Sequence, residues 1–253
     1  MNPPTSAAQT VPAEAPSEAP FYITATQAAG RPARTLKYGD TFAVLDSRGD
    51  MAAASGRSAG LFHLDTRYLS RLEVLVNGMP PLLLASNLRD DNSALFVDLT
   101  NPDIISDQRI LLEKDSVHML RTVFLWRGTA YQRLGVRNYG DRPVALQICI
   151  LFENDFADLF EVRGAHRDRR GSATAKLRGN DQVVLSYRGL DAKLRRTTLT
   201  FDPPPHRLAM DSAVYDLHLD PGDTQPIFAA VSCDVNPVPE QIVSGSRPWP
   251  VGL

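Results

Sequence analysis

"RLEVLVNG" runs from Arg71 to Gly78 and decides the fold class. Leu72, Val74 and Val76 share one face of an extended chain, while Arg71, Glu73 and Asn77 take the other. This period of two is the signature of a half-buried strand. Asn77-Gly78 then supplies the positive φ angles of a tight hairpin turn. The same grammar repeats outward in both directions. "SALFVDL" sets Leu95, Val97 and Leu99 against Phe96 and Asp98, and "PVALQICILFE" aligns Val144, Leu146, Ile148, Ile150 and Phe152. "AVYDLHLDPGD" points Tyr215, Leu217 and Leu219 one way and Asp216, His218 and Asp220 the other, and Pro221-Gly222 ends it. "PIFAAVSCDV" continues the period through Ile227, Ala229, Val231, Cys233 and Val235.

"DSVHMLRTVFLWRG", from Asp115 to Gly128, is apolar at both parities and reads as a central strand covered on both sides. Further strands are expected at 41–46, 129–138, 182–188 and 193–201, about a dozen in all by period counting. The stretch 154–161 is expected to form a helical turn or two. A dozen long alternating strands joined by Gly, Pro, Asn and Asp turns predict an all-β, antiparallel, two-sheet β-sandwich, large for an immunoglobulin-like domain.

Composition is that of a globular domain: 253 residues, 43% hydrophobic and 22% charged. A formal net charge of −2 argues against a general nucleic-acid partner, since phosphate neutralisation needs excess Lys and Arg. Cys149 and Cys233 sit in apolar alternating runs and read as small core residues rather than a disulfide framework. No stretch approaches the roughly 20 apolar residues of a membrane helix. Residues 1–20, rich in Pro, Ala, Ser, Thr and Glu, are expected to be a disordered tail. They lack the basic start and apolar core of a secretory signal, so a cytoplasmic protein is expected. Residues 21–240 would form the sandwich domain. Residues 241–253 read as an irregular tail, where a longer protein could have been cut.

Two constellations carry chemistry. "FENDFADLFEVRG", residues 152–164, sets Glu153, Asp155, Asp158 and Glu161 between Phe152, Phe156 and Phe160. Paired carboxylates near aromatic rings are what glycosidases use, and neighbouring carboxylates split their pKa values. The plainer reading is a cap and salt-bridge cluster, because Arg163, Arg167, Arg169 and Arg170 follow at once. In that reading the three phenylalanines, four residues apart, form a buried anchoring stripe. "GLFHLDTRYLSRLEV", residues 60–74, could offer Asp65 and Arg67 to sugar hydroxyls and Tyr68 as a stacking surface. Alternatively Asp65 and Arg67 pair with each other and fix a loop before the 71–76 strand. His63 reads as a structural histidine, and no His or Cys lies at zinc spacing, so neither metal nor cofactor is expected. Arg48-Gly49-Asp50 reads as a hairpin turn rather than an adhesion signal.

"YGDTFAVLDSRGDM" (38–51), "GLFHLDTRYLSRLEVLVNG" (60–78), and "FENDFADLFEVRG" with "HRDRRG" (152–171) together resemble the N-terminal domain of bacterial glycogen-debranching-type proteins, relatives of amylo-α-1,6-glucosidases. The resemblance spans roughly residues 21–240. It implies a β-supersandwich that precedes an (α/α)6 catalytic barrel carrying the bond-cleaving carboxylates. On that basis this chain has no catalytic residues of its own. Its expected partners are a helical-barrel glycosidase domain, in cis or in trans, and an α-glucan oligosaccharide. Asp65, Arg67, Tyr68, Asp155, Asp158 and Arg163 are its candidates for substrate or domain contact. Two alternatives stay open. One is a free-standing α-glucan-binding module using Trp126, Tyr68 and Tyr131. The other is a glycosidase in its own right, using a pair among Asp65, Glu153, Asp155 and Asp158.

Overall fold

A computed structural model describes residues 33–52, 58–106 and 109–235. The expected tail at 1–20, the start near Phe21 and the tail at 241–253 lie outside the described residues. The rest is built from eighteen strands and one short helix. The strands are β1 (Arg34–Tyr38), β2 (Thr41–Leu45), β3 (Gly60–His63), β4 (Thr66–Leu69), β5 (Arg71–Val76), β6 (Leu82–Leu88), β7 (Ala94–Thr100), β8 (Ile104–Ser106) and β9 (Arg109–Leu112). They continue with β10 (Val117–Trp126), β11 (Thr129–Asn138) and β12 (Val144–Glu153). After helix α1 (Leu159–Val162) come β13 (Ser172–Arg178), β14 (Gln182–Arg188), β15 (Leu194–Asp202), β16 (Arg207–Leu208), β17 (Ser212–Leu219) and β18 (Thr224–Val235).

Every pairing between these strands is antiparallel, so the expected all-β architecture is the one observed. One layer is an eight-stranded sheet in the order β13-β14-β15-β18-β11-β10-β7-β6. The facing layer is divided into two four-stranded sheets, β1-β2-β3-β4 and β16-β17-β12-β5. A small β8–β9 hairpin stands apart from both layers. The two halves of the divided layer meet where the chain leaving β2 touches β5 through a single bridge, Met51 to Leu72.

The core lies on one face of the large sheet. Register sets Leu99 opposite Met119, Met119 opposite Val136, and Leu134 opposite Ile227. All are buried, with Val74, Ile148, Ile150, Phe152 and Tyr215 from the facing layer. Packing of such alternating faces is the main driving force here, at about 25 cal/mol for each Å² of apolar surface buried. Asn77 (φ 48°) and Gly78 (φ 79°) make the hairpin turn read from the sequence.

Several expectations need correction. β10 is central in its sheet but fully buried on one face only. Val117, Met119, Arg121, Val123 and Leu125 are buried, whereas His118, Leu120, Thr122 and Phe124 on the other face are half-exposed. Cys233 is buried in the core, but Cys149 lies half-buried on the outer face of β12, and both thiols are free. Short strands such as β3, β4 and β16 escaped a period count because two to four residues cannot display a period. Among the described residues no helix is long and apolar enough to cross a membrane.

One polar group breaks the apolar pattern of the core. Arg121 is 0% exposed, and its guanidinium reaches Asp50 Oδ1 at 2.5 Å through Nη1. Nε and Nη2 both donate to Gln132 Oε1, at 3.0 and 2.7 Å, and Nη1 also donates to the Arg48 carbonyl at 2.9 Å. Asp50 Oδ1 further accepts the Val74 amide at 3.2 Å. The Arg-Gly-Asp tripeptide is thus a turn, with Gly49 at φ 81°, and its aspartate is an interior group. Burial pushes the Asp50 carboxyl above the ordinary aspartate range, and the Arg121 guanidinium opposes that shift. Arg121→Leu leaves the buried Asp50 carboxylate only the Arg48 guanidinium, 3.5 Å away, as a cationic partner, and should lower unfolding stability by about 3 kcal/mol. Urea unfolding checks this, and a loss below about 1 kcal/mol would contradict the assigned role.

Candidate functional site

The two constellations meet in space. Arg67, on β4, sends Nε to Asp155 Oδ1 at 3.1 Å and Nη2 to Asp155 Oδ2 at 2.5 Å. This is the bidentate geometry in which an Arg–carboxylate pair is strongest. Nη1 of Arg67 donates to the Ala59 carbonyl at 3.1 Å. Gly60 makes room for this side chain: a Cβ there would lie 2.6 Å from Arg67 Cδ and from the Leu69 carbonyl oxygen. Backbone bonds complete the junction. The Arg67 amide donates to Ala157 O at 2.8 Å, and the Leu159 amide donates to Asp65 O at 3.1 Å.

The remaining acids are engaged by a helix cap and by arginines. Asp158 caps α1, accepting the Phe160 and Glu161 amides at 2.9 Å each, while Glu161 Oε2 accepts the Asp158 amide at 3.1 Å. This reciprocal capping box satisfies amide groups that a helix start leaves open. Arg167 pairs with Asp158, and Arg170 lies 3.4 Å from Glu161 while donating to the Asp155 carbonyl at 2.9 Å. Glu153 pairs with Arg71 at 2.7 Å.

Other parts of the reading change. Asp65 and Arg67 do not pair; Asp65 sits in a left-handed turn (φ 61°) and contributes its carbonyl. Tyr68 is 0% exposed, its ring edge-on to Phe156 at 5.6 Å, so it presents no face to a sugar. Burial pushes its phenol above the ordinary tyrosine range. Tyr131 is also buried, whereas Trp126, at the end of β10, is 39% exposed with the Arg127 guanidinium 4.6 Å above its ring. Arg163 is exposed at the C-cap of α1, where its amide bonds Glu161 and Leu159 carbonyls. His63 is held by Thr41, with Oγ1 and Nδ1 2.8 Å apart.

The phenylalanine stripe fails at one position. Phe152 and Phe156 are buried, but Phe160 is 72% exposed. A four-residue spacing marks one face only on a continuous helix. Here Phe152 belongs to a strand, Phe156 has φ 48°, and α1 begins only at Leu159. A bulky residue in the left-handed region is strained. The stacked contact of Phe156 on Tyr187, at 5.3 Å and 11°, helps offset that strain. Among the described residues no three His, Cys, Asp or Glu side chains gather as metal ligands.

The family profile described as the N-terminal domain of (some) glycogen debranching enzymes matches residues 36–230. The chain belongs to that family. No curated protein matches it. Among solved structures, a human-microbiome protein described as a kojibiose phosphorylase shares 10% identity at a TM-score of 0.50. That similarity covers 79% of this chain and 30% of the other, so this domain corresponds to about a third of that protein. Slr1438 from Synechocystis sp. PCC 6803 shares 8% identity at a TM-score of 0.51, covering 81% of this chain and 96% of the other. At such identities the likeness is one of fold.

The 152–164 stretch therefore forms a junction that ties β3, β4, β12 and α1 together. A double-mutant cycle on Arg67→Ala and Asp155→Ala should return a coupling of about 1–2 kcal/mol, because the pair is bidentate yet partly screened by solvent. A coupling near zero in urea unfolding would mean the pair is ornamental.

Proposed function

We propose that this chain is a non-catalytic β-sandwich domain of a glycogen-debranching-type system, packing on and helping to shape a helical-barrel glycosidase domain. The observation that carries the reading is the family match over residues 36–230, almost the full span of the described sandwich. The commitment of the clustered carboxylates supports it. Asp155, Asp158, Glu161 and Glu153 are each held by an arginine, and Asp155 and Asp158 also take backbone amides. A glycosidase needs two carboxyl groups about 5–10 Å apart across an open cleft, one as acid and one as base or nucleophile. A capping carboxylate and one in a bidentate arginine pair are poorly placed for either task.

Exposed apolar side chains near the junction suit a docking role. Leu64 and Phe160 protrude from segments joined by the Asp65–Leu159 hydrogen bond. Adjacent exposed apolar side chains, unlike single scattered ones, mark interaction sites.

The purified chain should release no glucose from glycogen limit dextrin. It should form a 1:1 complex with a debranching-type helical catalytic domain expressed without its own sandwich, measured by sedimentation. Turnover by the chain alone that vanishes in Asp155→Asn would overturn the non-catalytic reading. Absence of any complex at high micromolar concentration would overturn the partner.

A further inference from the structure

We propose a binding subsite for a neutral α-linked glucose oligosaccharide on the outer face of the eight-stranded sheet, centred on His118, Asp98 and Tyr139. The identity of the sugar rests on the function proposed above; the subsite itself rests on geometry. A depression of about 340 Å³ opens there, lined by Leu84, Thr100, Asp115, His118 and Tyr139. Its size falls at the lower end of small-molecule clefts, about 300–1,000 Å³.

The lining has the mixed chemistry that a sugar needs. His118 Nε2 lies 3.1 Å from Asp98 Oδ1, and both side chains are about one-third exposed. His118 Nδ1 and the second Asp98 oxygen are left to hydrogen-bond ligand hydroxyls. Neither has a protein partner among the described residues. Tyr139 is 62% exposed, its ring edge-on to His118 at 5.9 Å and overlaid by the Arg137 guanidinium at 4.6 Å. An exposed phenol ring offers an apolar body and a polar tip. Leu84 adds a second exposed apolar wall.

The walls are fixed before any ligand arrives. Asn101 is fully buried and holds Val117 and Glu113, accepting the Val117 amide at 2.8 Å and donating to the Glu113 carbonyl at 2.8 Å. Asn138, also fully buried, accepts the Gly140 amide at 2.8 Å and donates to the Arg142 and Leu219 carbonyls. The Tyr139 amide bonds the Ser116 carbonyl at 3.0 Å, tying the two segments together. A pre-formed site loses less entropy on binding. Asp115 lines the depression and Asp98 is bonded to the lining His118, so ligand hydroxyls can donate to these carboxylates, while the Arg137 guanidinium over Tyr139 supplies donors.

The test is calorimetric titration of the full 253-residue chain with maltohexaose, with cellohexaose and glucose 1-phosphate as comparison ligands. Maltohexaose should bind, and the other two should bind at least about tenfold more weakly. Tyr139→Ala and Asp98→Asn should each raise the maltohexaose Kd about tenfold or more, while Tyr139→Phe, which keeps the ring, should stay within about threefold. Amide chemical-shift changes on titration should centre on residues 98, 118 and 139. No heat at millimolar maltohexaose, or binding unchanged in both Tyr139→Ala and Asp98→Asn, overturns the subsite. Those outcomes leave the domain reading standing, because complex formation with the catalytic domain is scored separately.

Discussion

The buried Arg121–Asp50 pair is the constraint on which the rest of the sandwich depends. Three separate sheets must meet over one core, and the halves of the divided layer are joined by short contacts: the β4–β5 connection at Ser70, whose amide donates to the Glu153 carbonyl, and the Met51–Leu72 bridge. Arg121 rises from β10 of the large sheet and Gln132 from β11. Asp50 arrives on the turn after β2 and accepts the amide of Val74 from β5. A single interior group therefore reaches every sheet of the core. A charge pair in the interior adds little net stability against an apolar replacement, since desolvation consumes most of the Coulombic gain. What it supplies is uniqueness: strand slippage or rotation of one sheet over another would strand a charge in the core.

The Arg67–Asp155 junction does a similar job at the edge. It holds the β3–β4 hairpin to the segment after β12, where Phe156 sits in a strained backbone conformation to place its ring between Tyr68 and Tyr187. The acids beside the aromatic rings thus owe their spacing to capping and pairing. By contrast, the outer face of the large sheet carries His118 and Asp98, whose second polar atoms have no partner among the described residues, beside the exposed Tyr139 ring. That division separates a scaffold junction from a surface with room for a ligand.

Legibility followed periodicity. The long strands β5, β7, β12, β17 and β18 could be read residue by residue because alternation over six or more positions has no competing explanation. The cap and salt-bridge cluster was legible as a type, since arginines follow the acids closely in the chain. Its partners were not: Arg67 lies 88 residues from Asp155, and adjacency had favoured Asp65. Phe160 was misassigned because a four-residue spacing was read as helix across a strand end and a left-handed residue. Nothing near Tyr139 signalled a site, because its depression is assembled from residues 84 to 139 on neighbouring strands and turns.

The sequence by itself determined the class of fold: alternating apolar faces and turn residues admit only stacked antiparallel sheets. It also determined the family, through long ordered motifs. Tertiary structure decided which polar residues are interior, which arginine meets which acid, and which aromatic rings face water. The physical reason is range. Alternation, turns and caps are set within a few residues, whereas burial and ion pairing depend on strands brought together from 70 to 90 positions away.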